Sequence, residues 1–240
     1  MEKEEFFDIM RKKSKKIDIS LENRQFEKFY LYMELLLEWN QKINLTAITE
    51  PEEIILKHFI DSLTVSKYIE KNSKLIDVGT GAGFPGIPLK IVREDLEITL
   101  LDSLNKRVTF LNEIIDKLKL TKIETVHNRV EEFAQNKQYR EKFDYSISRA
   151  VANMSTLSEY LIPLVKIGGN CICMKGSRIE EEINSSKNAI NILGGKIENI
   201  EKFTLPNTDY ERNIVIIKKE KATPLKYPRK AGTPAKNPII

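Results

Sequence analysis

Residues Leu75-Ile76-Asp77-Val78-Gly79-Thr80-Gly81-Ala82-Gly83-Phe84-Pro85-Gly86 constrain the fold more than any other stretch. They read as a short apolar strand running straight into three closely spaced glycines. Without a Cβ, glycine accepts positive φ and lets the backbone approach a nucleotide-like ligand. Asp102 ends the next predicted strand, 23 residues after Gly79, where a carboxylate can accept hydrogen bonds from ribose hydroxyls. On the first two strands of an alternating pattern, the pair points to an adenosine-containing cofactor.

The alternation is clear from residue 74 onward. Strands are predicted over 75–78, 98–101, 123–126, 143–148, 170–174, 197–203 and 213–217. Val108, Leu111, Ile114, Ile115 and Leu118 mark an amphipathic helix between them, and 154–165 and 178–193 suggest two more. Such alternation implies an α/β, Rossmann-like fold: a seven-stranded, mostly parallel sheet with helices on both faces. Only the loop 205–212 separates the last two strands, so a hairpin forms and the seventh strand is antiparallel. No internal repeat is present.

The first 70 residues read instead as a helical extension. Phe26, Phe29, Tyr30, Met33, Leu36 and Leu37 recur at helical spacing, with Ser20 as N-cap and Glu22 in the first turn. Thr49-Glu50-Pro51-Glu52 has the form of a capping box with proline in the first turn. Ile54, Ile55, His58, Phe59 and Leu63 form the apolar stripe of the helix that follows. The chain therefore divides into a helical cap over 1–70, a cofactor-binding domain over 71–220 and a basic tail over 221–240.

Composition narrows the setting. No stretch approaches the run of about 20 apolar residues that a membrane helix needs, and the charged N-terminus is no secretory signal, so the expected home is the cytoplasm. Nothing suggests more than a monomer. Cys171 and Cys173, two apart on a strand, point to one face as small buried thiols, and with His58 and His127 far apart no metal pattern arises. The net charge of +4 is uneven: residues 218–240 hold seven lysines and arginines against Glu220. A basic tail on a near-neutral body suits either phosphate contact or a solvated terminus.

Two prolines bear on the cofactor. A pyrophosphate needs free N–H groups at a helix N-terminus, and Pro85 and Pro88 remove two of them. S-adenosylmethionine carries no phosphate, so the prolines favour it over NAD, and the hairpin at the sheet edge resembles the class I methyltransferase sheet. The fourth strand ends Asp144-Tyr145-Ser146-Ile147-Ser148-Arg149-Ala150, without the Asn/Asp-Pro-Pro-aromatic segment of exocyclic-amine methylators. No Pro-Cys pair supplies a thiolate nucleophile. A ring nitrogen such as guanine N7 fits, because its lone pair is free and no base is required. No catalytic acid or base is assigned.

Arg149, at the carboxyl edge of the sheet, reads as a ligand contact or as the partner of a surface carboxylate. Lys106 and Arg107 open the helix after Asp102 and suit RNA phosphates or a solvated helix end. His58 reads as a packed helix residue, and Lys57 and Asp61 carry no discriminating signal.

Trp39-Asn40-Gln41-Lys42-Ile43-Asn44-Leu45-Thr46-Ala47, Lys57-His58-Phe59-Ile60-Asp61-Ser62-Leu63 and Asp77 through Pro88 resemble the bacterial small-subunit rRNA guanine-N7 methyltransferases, the RsmG or glucose-inhibited division protein B family. Asp102-Ser103, Lys106-Arg107, Arg129-Val130-Glu131, Ser148-Arg149-Ala150, Lys175-Gly176 and Tyr227 through Pro234 extend the resemblance over nearly the whole chain. It implies transfer of a methyl group from S-adenosylmethionine to one guanine N7 of 16S rRNA, free or in the small ribosomal subunit. It also implies cofactor contacts at Gly79, Phe84, Val130, Glu131 and Arg149. Gly81 and Asp102 join these on the general fold, and Arg229 and Lys230 in the tail are expected to meet rRNA with Lys106 and Arg107. Two other classes remain open: a nicotinamide or flavin oxidoreductase, and a non-catalytic RNA-binding factor.

Overall fold

The computed structural model describes residues 1–149, 151–177 and 179–240. Ala150, the end of the Ser148-Arg149-Ala150 match, and Arg178, the expected start of the 178–193 helix, lie outside the described residues.

Two long helices, α1 (Lys3–Lys15) and α2 (Asn23–Asn40), open the chain. The N-cap of α2 is Glu22 rather than Ser20. Glu22 and Gln25 close a reciprocal capping box, which satisfies two orphan N–H groups where one serine would satisfy one. α3 (Pro51–Ile54) has Pro51 in its first turn, but Thr49-Glu50-Pro51-Glu52 makes no side-chain cap. A π-helical turn, Ile55–Ile60, joins it to α4 (Asp61–Leu63). π turns are uncommon and concentrate at functional sites. This one carries His58 and leads directly to Asp61.

Then the strands begin: β1 (Lys74–Val78), α5 (Gly86–Val92), β2 (Glu97–Asp102), α6 (Asn105–Lys117), β3 (Ile123–His127), α7 (Val130–Gln135) and β4 (Phe143–Arg149). α8 (Met154–Leu161), β5 (Val165–Lys175), α9 (Glu180–Ile192), β6 (Gly195–Thr204), β7 (Glu211–Lys219) and α10 (Thr233–Lys236) complete the chain. The sheet runs in the order β3-β2-β1-β4-β5-β7-β6. β1 through β5 pair in parallel, and β7 is antiparallel to both β5 and β6. The order reverses between β1 and β4, so their carboxyl ends splay apart and leave the crevice where ligands of open α/β sheets bind.

Side chains alternate between two apolar layers. Leu75, Leu100 and Ile147 face one cluster; Ile76, Leu101 and Val215 face the other. Phe6, Phe29, Tyr32 and Phe59 of the N-terminal helices lie in the same cluster as Leu75. The cap is thus packed directly on the sheet through α5. Cys171 and Cys173 face the second cluster, fully buried.

The last 20 residues form a strap and not a solvated tail. Tyr227 and Pro234 are buried, and Arg140 donates to the carbonyls of Thr223 and Tyr227 at 2.8 and 2.7 Å. Of the seven cations over 218–240, Lys219 belongs to β7, is buried, and pairs with Glu141 at 2.7 Å.

Candidate cofactor and acceptor site

Gly79, at φ +67°, and Thr80 both donate to the carbonyl of Leu101 at 2.9 and 3.2 Å, folding the turn over the end of β2. A Cβ on Gly79 would stand 2.8 Å from Val151 Cγ2. One on Gly81 would meet nothing within 4 Å, because that residue faces an open cavity. Asp77, beneath the turn, accepts from Thr80 Oγ1 at 2.7 Å and Gly86 N at 2.8 Å. Burial pushes its carboxyl up to about 6 against the pull of those two donors. Asp102 accepts from Gly81 N and Leu104 N, both at 2.9 Å. Oδ2 also takes Arg107 Nη1 at 3.5 Å, so Oδ1 keeps the further lone pair for a ribose hydroxyl.

The first turn of α5 offers no N–H to a phosphate. Gly86 N is spent on Asp77, Ile87 N donates to Gly83 O at 2.8 Å, and Pro88 has none. That geometry is unsuited to a pyrophosphate.

Two cavities meet at Gly79 and Asp102. The smaller, about 230 Å³, is walled by Val130, Glu131, Val151, Ala152, Tyr160 and Ala235. Its apolar walls, with carboxylates at the ends of β2 and just after β3, fit an adenosine. Glu131 is buried and accepts from Gly232 N of the strap at 2.8 Å. The larger, about 670 Å³, lies under the cap, lined by Thr46, His58, Phe84, Arg149, Lys175 and Arg212 among others.

Arg149 organises the larger cavity. Its guanidinium lies 4.9 Å from the centre of the Phe84 ring and donates to Lys57 O at 3.1 Å and His58 Nδ1 at 3.1 Å. Asp61 Oδ2 stands 3.4 Å from Nη1, while Asp61 Oδ1 accepts from Arg212 Nε at 3.1 Å. His58 stacks on Phe84 at 4.4 Å, and its Nε2 meets Thr46 Oγ1 at 2.8 Å. Because Arg149 donates to Nδ1, the ring is the Nε2–H tautomer, donating to Thr46. Thr46 is held in turn by Asn40, whose Oδ1 accepts from Leu45 N and Thr46 N. Asn40 and Thr46 thus orient the His58 ring.

Burial and the neighbouring Arg149 lower the His58 pKa to about 3. An unfolded histidine titrates near 6.5, so between those values only the unfolded chain gains the proton, and stability falls with falling pH. Asp77 acts in the opposite sense, its raised pKa favouring the folded state below about 6. Between pH 7 and 4.5, wild type is expected to lose about 2–3 kcal/mol more than His58→Phe, by urea titration at both pH values. Equal losses would show that His58 is not held neutral.

Of the remaining expected site residues, Phe84 and Arg107 line the larger cavity, and Arg107 Nη1 stands 3.5 Å from Asp102. Lys106 is exposed in the first turn of α6. Arg229 is committed to the protein: its side chain makes a forked pair with Glu159, at 2.9 Å from Nε and 2.6 Å from Nη2. Lys230 beside it is exposed. His58, Asp61, Lys175 and Arg212 are site residues that motif reading leaves unassigned. Asp61 did carry a signal, a carboxylate inside the apolar run Phe59-Ile60-Asp61-Ser62-Leu63, since a buried charge demands a partner.

Fold and site together define the class. A crystal structure of an S-adenosylmethionine-dependent methyltransferase from Aquifex aeolicus superposes with a TM-score of 0.52 at 16% identity, covering 75% of this chain and 97% of that one. TYW2 from M. jannaschii, in complex with AdoMet, gives 0.53 at 14% identity over 66% and 74% of the two chains. These likenesses show the class I methyltransferase fold. Residues 25–215 match the GidB family model, rRNA small subunit methyltransferase G. The ribosomal RNA small subunit methyltransferase G of Clostridium perfringens is 53% identical over 98% of this chain and 99% of its own. That of Acetivibrio thermocellus is 56% identical over 92% and 91%. The chain belongs to the rRNA small subunit methyltransferase G family.

Proposed function

We propose that this chain transfers a methyl group from S-adenosylmethionine to N7 of a guanine in 16S rRNA. The observation that carries the cofactor is the first turn of α5, which has no free N–H for a pyrophosphate although the glycine turn and paired carboxylates suit an adenosine. Gly79, Gly81 and Asp102 would hold the ribose edge, Val130 and Glu131 the adenosine slot, and Phe84 and Arg149 the end facing the acceptor. The cofactor, when bound, supplies an electrophilic methyl on a sulfonium.

The acceptor chemistry follows from what the larger cavity does not offer. His58 has a pKa of about 3 and its Nδ1 lone pair is taken by Arg149. Asp61 faces two arginines, and burial pushes the thiol of Cys171 up to about 12 in the core. Among the described residues, neither His58 nor Asp61 in that cavity is free to remove a proton, and no cysteine lines it to attack carbon. A guanine N7 needs neither, since its lone pair displaces the sulfur directly and no proton leaves. The protein aligns the base and excludes water. Among the described residues, no helix is long and apolar enough to cross a membrane. A ribosomal substrate supports action in the cytoplasm, and we take the monomer as the working unit.

Labelled methyl transfer to deproteinised 16S rRNA and to small subunits, with mass mapping of the nucleoside, tests the reading. A product other than N7-methylguanosine refutes it. Gly81→Ala tests the cofactor site: its methyl enters the cavity, and the φ of +62° adds about 1–2 kcal/mol of strain. Calorimetry is expected to show S-adenosylmethionine affinity lower by about tenfold or more in a folded protein. Unchanged affinity would move the cofactor away from this turn.

A further inference from the structure

Tyr210 leaves 42% of its surface exposed, one of few large aromatics to do so. Single exposed rings are ordinary, but the placement of this one is not. The Lys57 ammonium lies 4.6 Å from its ring centre, and Lys57 also lines the larger cavity. Arg212, two residues along the same strand entry, lines that cavity too. The ring therefore stands beside the acceptor cavity, just outside its lining, against Lys57.

It is also held in place. Leu205, fully buried, donates from its N–H to Tyr210 O at 3.0 Å, and Tyr210 N donates to Thr208 Oγ1 at 3.2 Å. Thr208 returns to Leu205 O through both N–H and hydroxyl, at 3.2 and 3.0 Å. The loop between β6 and β7 is a closed turn anchored in the core. Lys57 is steadied by Glu53 at 2.5 Å, so its charge is already matched and it holds the ring more than it attracts phosphate. A pre-set ring beside a cavity of about 670 Å³, ample for a purine base, is a stacking platform, because every nucleobase offers a π face and little ordering remains to be done.

We propose that Tyr210, positioned by Lys57, forms a stacking subsite for the nucleobase next to the target guanine in single-stranded RNA. The inference rests on the rRNA reading above. A guanine leaving its stack to enter the cavity strips its neighbour of a stacking partner, and Tyr210 replaces that partner beside the cavity.

The test uses the full-length protein, with Tyr210→Ala and Tyr210→Phe measured against wild type on small-subunit rRNA. Tyr210→Ala is expected to raise KM for RNA between about 5- and 150-fold, the range of one lost base–aromatic stack. Tyr210→Phe keeps the ring and is expected to stay within about twofold of wild type. Affinity for S-adenosylmethionine, by calorimetry, and Tm are expected not to move in either variant. An unchanged KM in Tyr210→Ala, or equal losses in both variants, overturns the subsite, as does a fall in cofactor affinity that accounts for the change. Wild type that methylates neither free 16S rRNA nor small subunits would instead defeat the functional reading itself.

Discussion

Asp61→Ala is expected to destabilise the protein by about 3–5 kcal/mol and to abolish methyl transfer. The Asp61 carboxylate is almost fully buried between Arg149 and Arg212, at 3.4 and 3.1 Å. Removing it leaves two guanidinium groups in a poorly solvated pocket without their counter-charge, and a buried pair broken on one side costs on that scale. The positional effect is separate. Arg149 is fixed against Phe84 by Lys57 O, His58 Nδ1 and Asp61, and loss of one restraint lets repulsion from Arg212 move it. Asp61→Asn keeps an acceptor and most of the shape, so it is expected to fold better than Asp61→Ala and still to lose most activity. Urea titration and single-turnover methyl transfer check both. An Asp61→Ala protein as stable as wild type would mean that Arg149 and Arg212 do not depend on this carboxylate.

The second large effect separates two roles for the strap. If Arg229 is chiefly a phosphate ligand, Arg229→Ala leaves stability alone and flattens the fall of log affinity with log salt by about one counterion. Its geometry supports the other outcome. Glu159 has no exposed surface, and Arg229 covers it through a forked guanidinium contact plus its own backbone N–H at 2.7 Å. Stripping that cover leaves a buried carboxylate without its cation, and a loss of about 3–5 kcal/mol in urea titration is expected. A double variant, Glu159→Leu with Arg229→Met, is expected to recover most of it, since neither charge then remains to be paired. Because Gly232 N holds Glu131 and Ala235 lines the smaller cavity, calorimetry on Arg229→Ala is expected to show weaker cofactor binding as well. A normal Tm with a reduced salt slope would return Arg229 to the RNA surface beside Lys230.

How much of this was legible in the chain depends on range. The glycine turn was legible because its chemistry is local: Val78, Gly79 and Gly81 need only their own φ values and the next strand. The sheet was legible for a similar reason, since each buried strand is an apolar run of its own. The antiparallel β7 followed from a loop too short for a crossover. The N-cap of α2 slipped from Ser20 to Glu22 because a reciprocal box outcompetes a lone serine, a choice that propensity at one position does not show.

What tertiary structure alone decided are the partners. Lys57, His58, Asp61, Arg149 and Arg212 come from three parts of the chain, the first and last about 150 residues apart, and no spacing rule links them. Whether Arg149 meets a ligand or a carboxylate, and whether Arg229 meets RNA or Glu159, turns on what burial leaves beside each charge. Charge in water is indifferent to its neighbours, while charge out of water must be paired. The sequence by itself determined that a cofactor turn exists and which helix start follows it. Folding determined that the cap, the sheet edge and the strap close around that turn, because only packing brings these distant charges within reach of one another.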